Sequence, residues 1–129
     1  MKQAKRRLRV YVAGPISTLD QNVDTPAYNQ IADNVRHGIQ VGHALLTAGY
    51  APYVPHLSHY WNLITPAPYN EWLSMDEAWL AVCDVLLRLP GVSRGADHEV
   101  ELAKELGIPV VHGIAELEHL TAKKRGKRG

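Results

Sequence analysis

The sequence predicts a small three-layer α/β fold on a parallel sheet of four to five strands, and three observations predict it. Apolar, β-rich runs alternate four times with stretches of helical period along the chain. Residues 85–87 and 108–111 are nearly all apolar, as strands covered on both faces are. With 129 residues, 46% of them hydrophobic and 21% charged, the chain can bury one sizeable core and hardly two.

Residues 8–13 (LRVYVA) read as the first strand, ended by Gly14 and Pro15. Residues 26–48 carry Ile31, Val35, Ile39, Gly42 and Leu45 at helical spacing, and Gly49 stops that helix. Gly38 and Gly42, four residues apart, weaken the helix but would let it lie close against a sheet. Residues 50–54 make a short second strand ended by Pro55. Residues 55–68 (PHLSHYWNLITPAP) hold three prolines and no clear period, so they are expected to be a loop, with the length of a lid or binding segment. A second helix over 69–81, a third strand over 84–89, a third helix over 95–106, a fourth strand over 108–111 and a short last helix over 114–120 follow. This order is that of a Rossmann/flavodoxin-like domain over residues 1–122, with a basic tail over 123–129.

The net charge of +1 conceals a segregation. Five of the 14 basic residues lie in residues 1–9 and five in residues 123–128, whereas all 13 acidic residues lie between them. The tails are basic and the body is acidic, which disfavours nucleic acid as a partner, and the KKRGKRG end is expected to be solvated. No run of about 18 apolar residues occurs, and the basic start passes straight into a strand, so neither membrane association nor secretion is expected. The single cysteine, Cys83, sits in an apolar run and can form neither an internal disulfide nor a CxxC metal site. A cytoplasmic protein is the expectation.

In open α/β sheets, ligands bind outside the carboxyl ends of the strands, near the point where strand order reverses. Four segments reach that edge: GPIS after the first strand, PHLSHYW after the second, the opening turns of the helix that contains Asp76, and PGVSRGADHE after the third strand. The last runs into the start of a helix, where Ser93 and Gly95 suit the first turn and free N–H groups favour an anion. Arg94 adds a cation there. Gly95, Glu99 and Ala103 share one face, so a single carboxylate stands among small residues, while Asp97, Glu101 and Glu105 fall mostly on other faces. Asp76 lies two turns inside a helix that begins at the same edge, whereas Asp84 lies at the opposite edge and reads as structural. Glu99 and Asp76, in a pocket lined by Tyr11 and the Gly14, Pro15 and Ser17 loop, make a pair suited to glycosidic chemistry: one attacks the anomeric carbon, the other protonates the leaving group.

These segments carry a resemblance from Val10 to about His112. VYVAGPIS, DEAWLAVCDVLLRLPG and SRGADHEVELA resemble the nucleoside 2-deoxyribosyltransferase superfamily, which includes deoxynucleoside monophosphate N-hydrolases and many uncharacterised bacterial and phage proteins. The spacing from Ser93 through Gly95 and Glu99 to Ala103 matches the nucleophile motif of that family, and Asp76 with Leu80 and Asp84 matches the segment that carries its second acid. The resemblance implies Glu99 as the nucleophile of a glycosyl-enzyme intermediate and Asp76 as the acid/base assisting departure of the nucleobase. It implies Tyr11 beside the nucleophile and the sugar, and the Gly14 loop around the sugar and its 5′ end. The substrate it implies is a 2′-deoxynucleoside or its 5′-monophosphate, hydrolysed or transferred without a cofactor by a homo-oligomer. The long PHLSHYWNLITPAP segment is closer to the uncharacterised members and leaves base preference open.

Other signals weigh less. His56 and His59 have HxxH spacing but no helix or carboxylate to complete a metal site, so no metal is expected; His56, directly after the second strand, is a candidate for holding substrate. Trp61, Trp72 and Trp79 could stack on a base, although Trp72 and Trp79, seven apart on one helix, are rather expected to pack against the core or a subunit. There is no P-loop and no GxGxxG. The string LPGVSRGADHE is also faintly similar to the PGG-and-Glu motif of cytokinin-activating phosphoribohydrolases, but lacks the second Gly and the Gly-Thr that follows. That alternative keeps the bond and changes the sugar to ribose. Two further alternatives are a nucleotide-binding module without turnover and a nucleic-acid-associated protein working through its basic ends.

Overall fold

A computed structural model of the chain describes residues 6–16 and 27–128. Its elements are β1 (Arg9–Ala13), α1 (Ala27–Thr47), β2 (Ala51–Tyr53), a 3₁₀ turn (Pro55–Leu57), α2 (Ser58–Ile64), α3 (Tyr69–Leu80), β3 (Val85–Arg88), α4 (Arg94–Glu105), β4 (Val110–Val111) and α5 (Ile114–Arg128). The four strands form one parallel sheet in the order β2-β1-β3-β4. Alternation along β1 sends Val10 and Val12 to one face and Tyr11 and Ala13 to the other. On the first face they pack with Val85, Leu87, Leu45 of α1 and Leu117 of α5; on the second, with Leu86, Leu80 of α3 and Ala96 and Ala103 of α4. The result is the three-layer, Rossmann-like α/β architecture that the alternating runs predict.

The chain passes from β1 to β2 on one side and then crosses to β3 on the other, so strand order reverses at β1. The carboxyl end of β1 is therefore the crevice of the sheet. Gly14 leaves it in close contact with Leu89, and a Cβ at Gly14 would lie 2.9 Å from that side chain. The turn after β3 is held by Arg88, whose guanidinium donates to the carbonyls of Leu89 and Gly91 and to Asp97 at 3.0 Å. At the opposite edge Arg6 grips Asp84 with two hydrogen bonds of 3.0 Å, and the backbone N–H of Arg9 donates to it at 2.7 Å. Burial pushes the Asp84 carboxyl up, but these donors win and hold it below the usual range. Asp84 thus ties the start of β1 to the start of β3.

Two segments differ from expectation. Residues 55–68 are largely helical rather than a loop: Pro55 opens the 3₁₀ turn and SHYWNLI forms α2. Pro66 ends it, because the residue before a proline is driven out of the helical region, and Thr65 is extended at φ −134° and ψ 91°. Seven residues span fewer than two turns and none of them is buried, so they carry no readable period. The last helix likewise runs past 120 to Arg128, through residues assigned to the tail. Lys and Arg are good helix formers, and positive charge at a helix C-terminus favours the dipole.

The two α1 glycines do provide close approach, but to side chains that follow β2 and not to the sheet itself. A Cβ at Gly42 would stand 2.6 Å from Val54 Cγ2, and one at Gly38 only 2.4 Å from the His56 ring.

Candidate active site

Parallel pairing sets the floor of the site. Register places Tyr11 opposite Tyr53, and their rings stack with centroids 5.4 Å apart on the α3/α4 face. Tyr53 stacks in turn on Trp79 of α3 at 5.7 Å, so an aromatic column runs from the sealed centre of the sheet to the half-exposed indole. Each phenol ends at a carboxylate. The Tyr11 hydroxyl donates to Glu99 Oε2, and the Tyr53 hydroxyl donates to Asp76 Oδ1 at 2.9 Å.

Glu99 reaches this point because α4 starts directly after β3. Ser93 is extended and caps the helix, its hydroxyl oxygen accepting from the Ala96 N–H at 3.0 Å. Ala96, Glu99 and Ala103 then fall on the buried face of the helix. Glu99 is 8% exposed, and burial pushes its carboxyl up to about 7. The Tyr11 hydrogen bond opposes that rise, the charge of Asp76 adds to it, and His98 and Arg88 oppose it. Burial likewise raises Asp76 to about 6, against the Tyr53 hydrogen bond and with the charge of Glu77. Burial, with the neighbouring carboxylates, pushes both phenols well above their ordinary range, so they stay protonated donors.

The two carboxylates face a cavity of about 200 Å³. Val12, Gly14 and Ile16 bring the end of β1 to its wall, and Gly95, Ala96 and Glu99 bring the start of α4. Helix α3 contributes Tyr69, Trp72, Leu73 and Asp76, a stripe at spacings of three and four that is one face of a helix. Pro55, Ser58 and Asn62 close the side that follows β2. A space between two carboxyls and an aromatic wall can hold a flat heterocycle on a small polar ring and exchange protons with it.

Of the residues singled out from sequence, the structure brings Gly14, Asp76, Gly95 and Glu99 to the cavity wall, with Tyr11 fully buried beneath Glu99. Pro15 is buried and packs against Gly91, whose φ of +114° and lack of a side chain admit it. Ser93 serves as the cap, and Arg94 is exposed on the first turn of α4 outside the wall. His56 is fully buried against Gly38 and does not reach the cavity; burial lowers its pKa to about 4, and it stays neutral. Ser17 lies outside the described residues. Among the described residues no group of three or more His, Cys, Asp or Glu gathers as a metal site, and no helix is long and apolar enough to cross a membrane.

The sequence does not single out Tyr53, Asn62 or Tyr69, reaches Ser58 only within PHLSHYW, and favours the core or a subunit contact for Trp72 over stacking on a base. The α3 stripe was available by stepping back from Asp76 in helical spacing; the pairing of Tyr53 with Tyr11 was not, since strand register leaves no local mark. No curated protein matches the chain. A family model does match residues 9–113, a span that holds the whole sheet and every residue of the cavity wall. The chain therefore belongs to the family described as "Domain of unknown function (DUF7768)".

Proposed function

We propose that the protein cleaves or transfers the N-glycosidic bond of a 2′-deoxynucleoside or its 5′-monophosphate through a covalent intermediate on Glu99. The observation that carries this is a pair of carboxylates, Glu99 buried and Asp76 half-buried, each held by its own tyrosine, at one cavity over the carboxyl end of β1. Similarity of the segments around Tyr11, Asp76 and Glu99 to the nucleoside 2-deoxyribosyltransferase superfamily supports the same reading.

In the first half-reaction the ionised Glu99 attacks the anomeric carbon while Asp76, protonated, gives its proton to the departing base, which leaves with the electron pair of the glycosidic bond. In the second, Asp76 as carboxylate takes a proton from water or from an incoming base. That acceptor attacks the anomeric carbon, and Glu99 leaves as carboxylate. The Tyr11 hydroxyl fixes the attacking oxygen and stabilises the carboxylate when it is expelled. Tyr53 does the same for Asp76. Exposed apolar side chains on α2 and at the start of α3, Trp61, Leu63, Ile64 and Tyr69, suit a homo-oligomer that covers this side.

A screen of deoxynucleosides and their monophosphates for released base tests the reaction. Glu99→Gln should remove nearly all turnover yet keep substrate binding, and a 2-fluoro sugar substrate should leave an adduct on wild-type Glu99 detectable by mass spectrometry. Near-normal turnover by Glu99→Gln rejects the mechanism. The same screen separates the two substrates by comparing kcat/KM for each nucleoside and its monophosphate.

A further inference from the structure

The α2 segment, absent from the motifs that point to the chemistry, places one amide in the cavity wall with its orientation already decided. Asn62 Oδ1 accepts two hydrogen bonds, from Trp72 Nε1 at 2.8 Å and from the backbone N–H of Ala67 at 2.9 Å. Both partners can only donate, so the amide cannot be turned over without facing donors with donors. The Nδ2 group is left. It has no hydrogen-bond partner among the described residues, and it is not sealed, for the buried polar side-chain atoms without partners there are those of His56 alone. Asn62 thus offers the cavity two N–H donors and no acceptor.

The frame that holds this amide sits beside the acid. Trp72 is clamped edge-to-face by Trp61 with centroids 5.0 Å apart, and it stands one helical turn before Asp76 on the cavity side of α3. Leu73 and Trp72 supply an apolar face for a flat ring between the acid and the amide.

We propose that Asn62 is a specificity-determining residue that reads an oxo group on the base, so that the site takes oxo-substituted nucleobases in preference to their amino counterparts. The inference rests on the glycosidic reading for the identity of the ligand. An oxo group accepts from Nδ2, whereas an amino group sets donor against donor and leaves both unpaired in a confined space. A site built to donate discriminates strongly against a ligand that cannot accept.

Hypoxanthine and adenine, which differ in an oxo and an amino group on the same ring frame, are the probes. Titration of the wild-type protein with each free base, followed by ligand-observed NMR, should show hypoxanthine binding about tenfold more tightly. Asn62→Asp keeps a carbonyl-type oxygen for Trp72 and Ala67 and turns the donor into an acceptor, so it should reverse the order. The same order should appear in kcat/KM for 2′-deoxyinosine against 2′-deoxyadenosine. Equal binding of the two bases by wild type, or binding of neither at millimolar concentration, overturns the proposal. Base preference without release of base from either nucleoside leaves Asn62 standing and overturns the glycosidase reading instead.

Discussion

Tyr11 and Tyr53 are register partners on adjacent parallel strands, and their stacked rings carry hydroxyls to different carboxylates, Glu99 and Asp76. One pairing of the sheet thereby spaces both acids of the site. Each phenol favours the ionised form of its partner, while burial favours the protonated one. Both carboxyls are raised toward neutrality as one coupled pair, and the first half-reaction uses the singly protonated form that carries its proton on Asp76 and leaves Glu99 ionised.

Activity should follow a bell with limbs near about 6 and about 7, set by Asp76 and Glu99 acting as a coupled pair. Below the lower limb both carboxyls are protonated and no nucleophile exists; above the upper one both are ionised and no acid exists. Tyr11→Phe and Tyr53→Phe each delete a hydrogen bond that lowers one carboxyl pKa, so each should raise one limb of the bell by about 1 pH unit. Profiles of kcat/KM against pH measure this. A profile that falls in height without moving would mean that the phenols only pack.

Asp76→Asn should slow release of natural bases by roughly 10²- to 10⁴-fold and of activated bases far less, because a good leaving group needs no proton. A leaving-group series read by base release checks it. Equal losses across the series would make Asp76 a positioning residue.

Glu99 should cost stability at alkaline pH. Its folded pKa of about 7 lies above the ordinary 4.5, so between these values the native state binds more protons than the unfolded one and stability falls as pH rises. The stabilising contribution is complete below about 4.5 and lost above about 7, a change on the order of 3 kcal/mol. Glu99→Gln removes the titration. Urea unfolding should show Gln gaining on wild type as pH goes from 5 to 8, and parallel curves would contradict the burial of an ionisable Glu99.

Gly38→Ala should destabilise by at least about 1 kcal/mol despite the better helix propensity of Ala, since its Cβ would intrude into the His56 ring at 2.4 Å. In a His56→Ala background the same change should cost much less, a coupling that a double-mutant cycle by denaturant titration reads directly.

Local chemistry in the chain determined the layer architecture, the parallel sheet, the ends of most elements and the pairing of Glu99 with Asp76. Apolar runs, helical spacing and the Ser93 cap act over a few residues, and the carboxyl-edge rule converts their order into a place. Asp84 was legible as structural for the same reason, lying at the other end of its strand. Tertiary structure alone decided the rest. Tyr53 joins the site through strand register, a contact between residues 42 positions apart that neither strand announces. His56, at the carboxyl edge in sequence, is drawn into the core because Gly38 opens a slot that only packing fills. Helix α2 was hidden since seven unburied residues between prolines show no period, so the Asn62 amide and its fixed direction emerged only when Trp72 and Ala67 were folded against it.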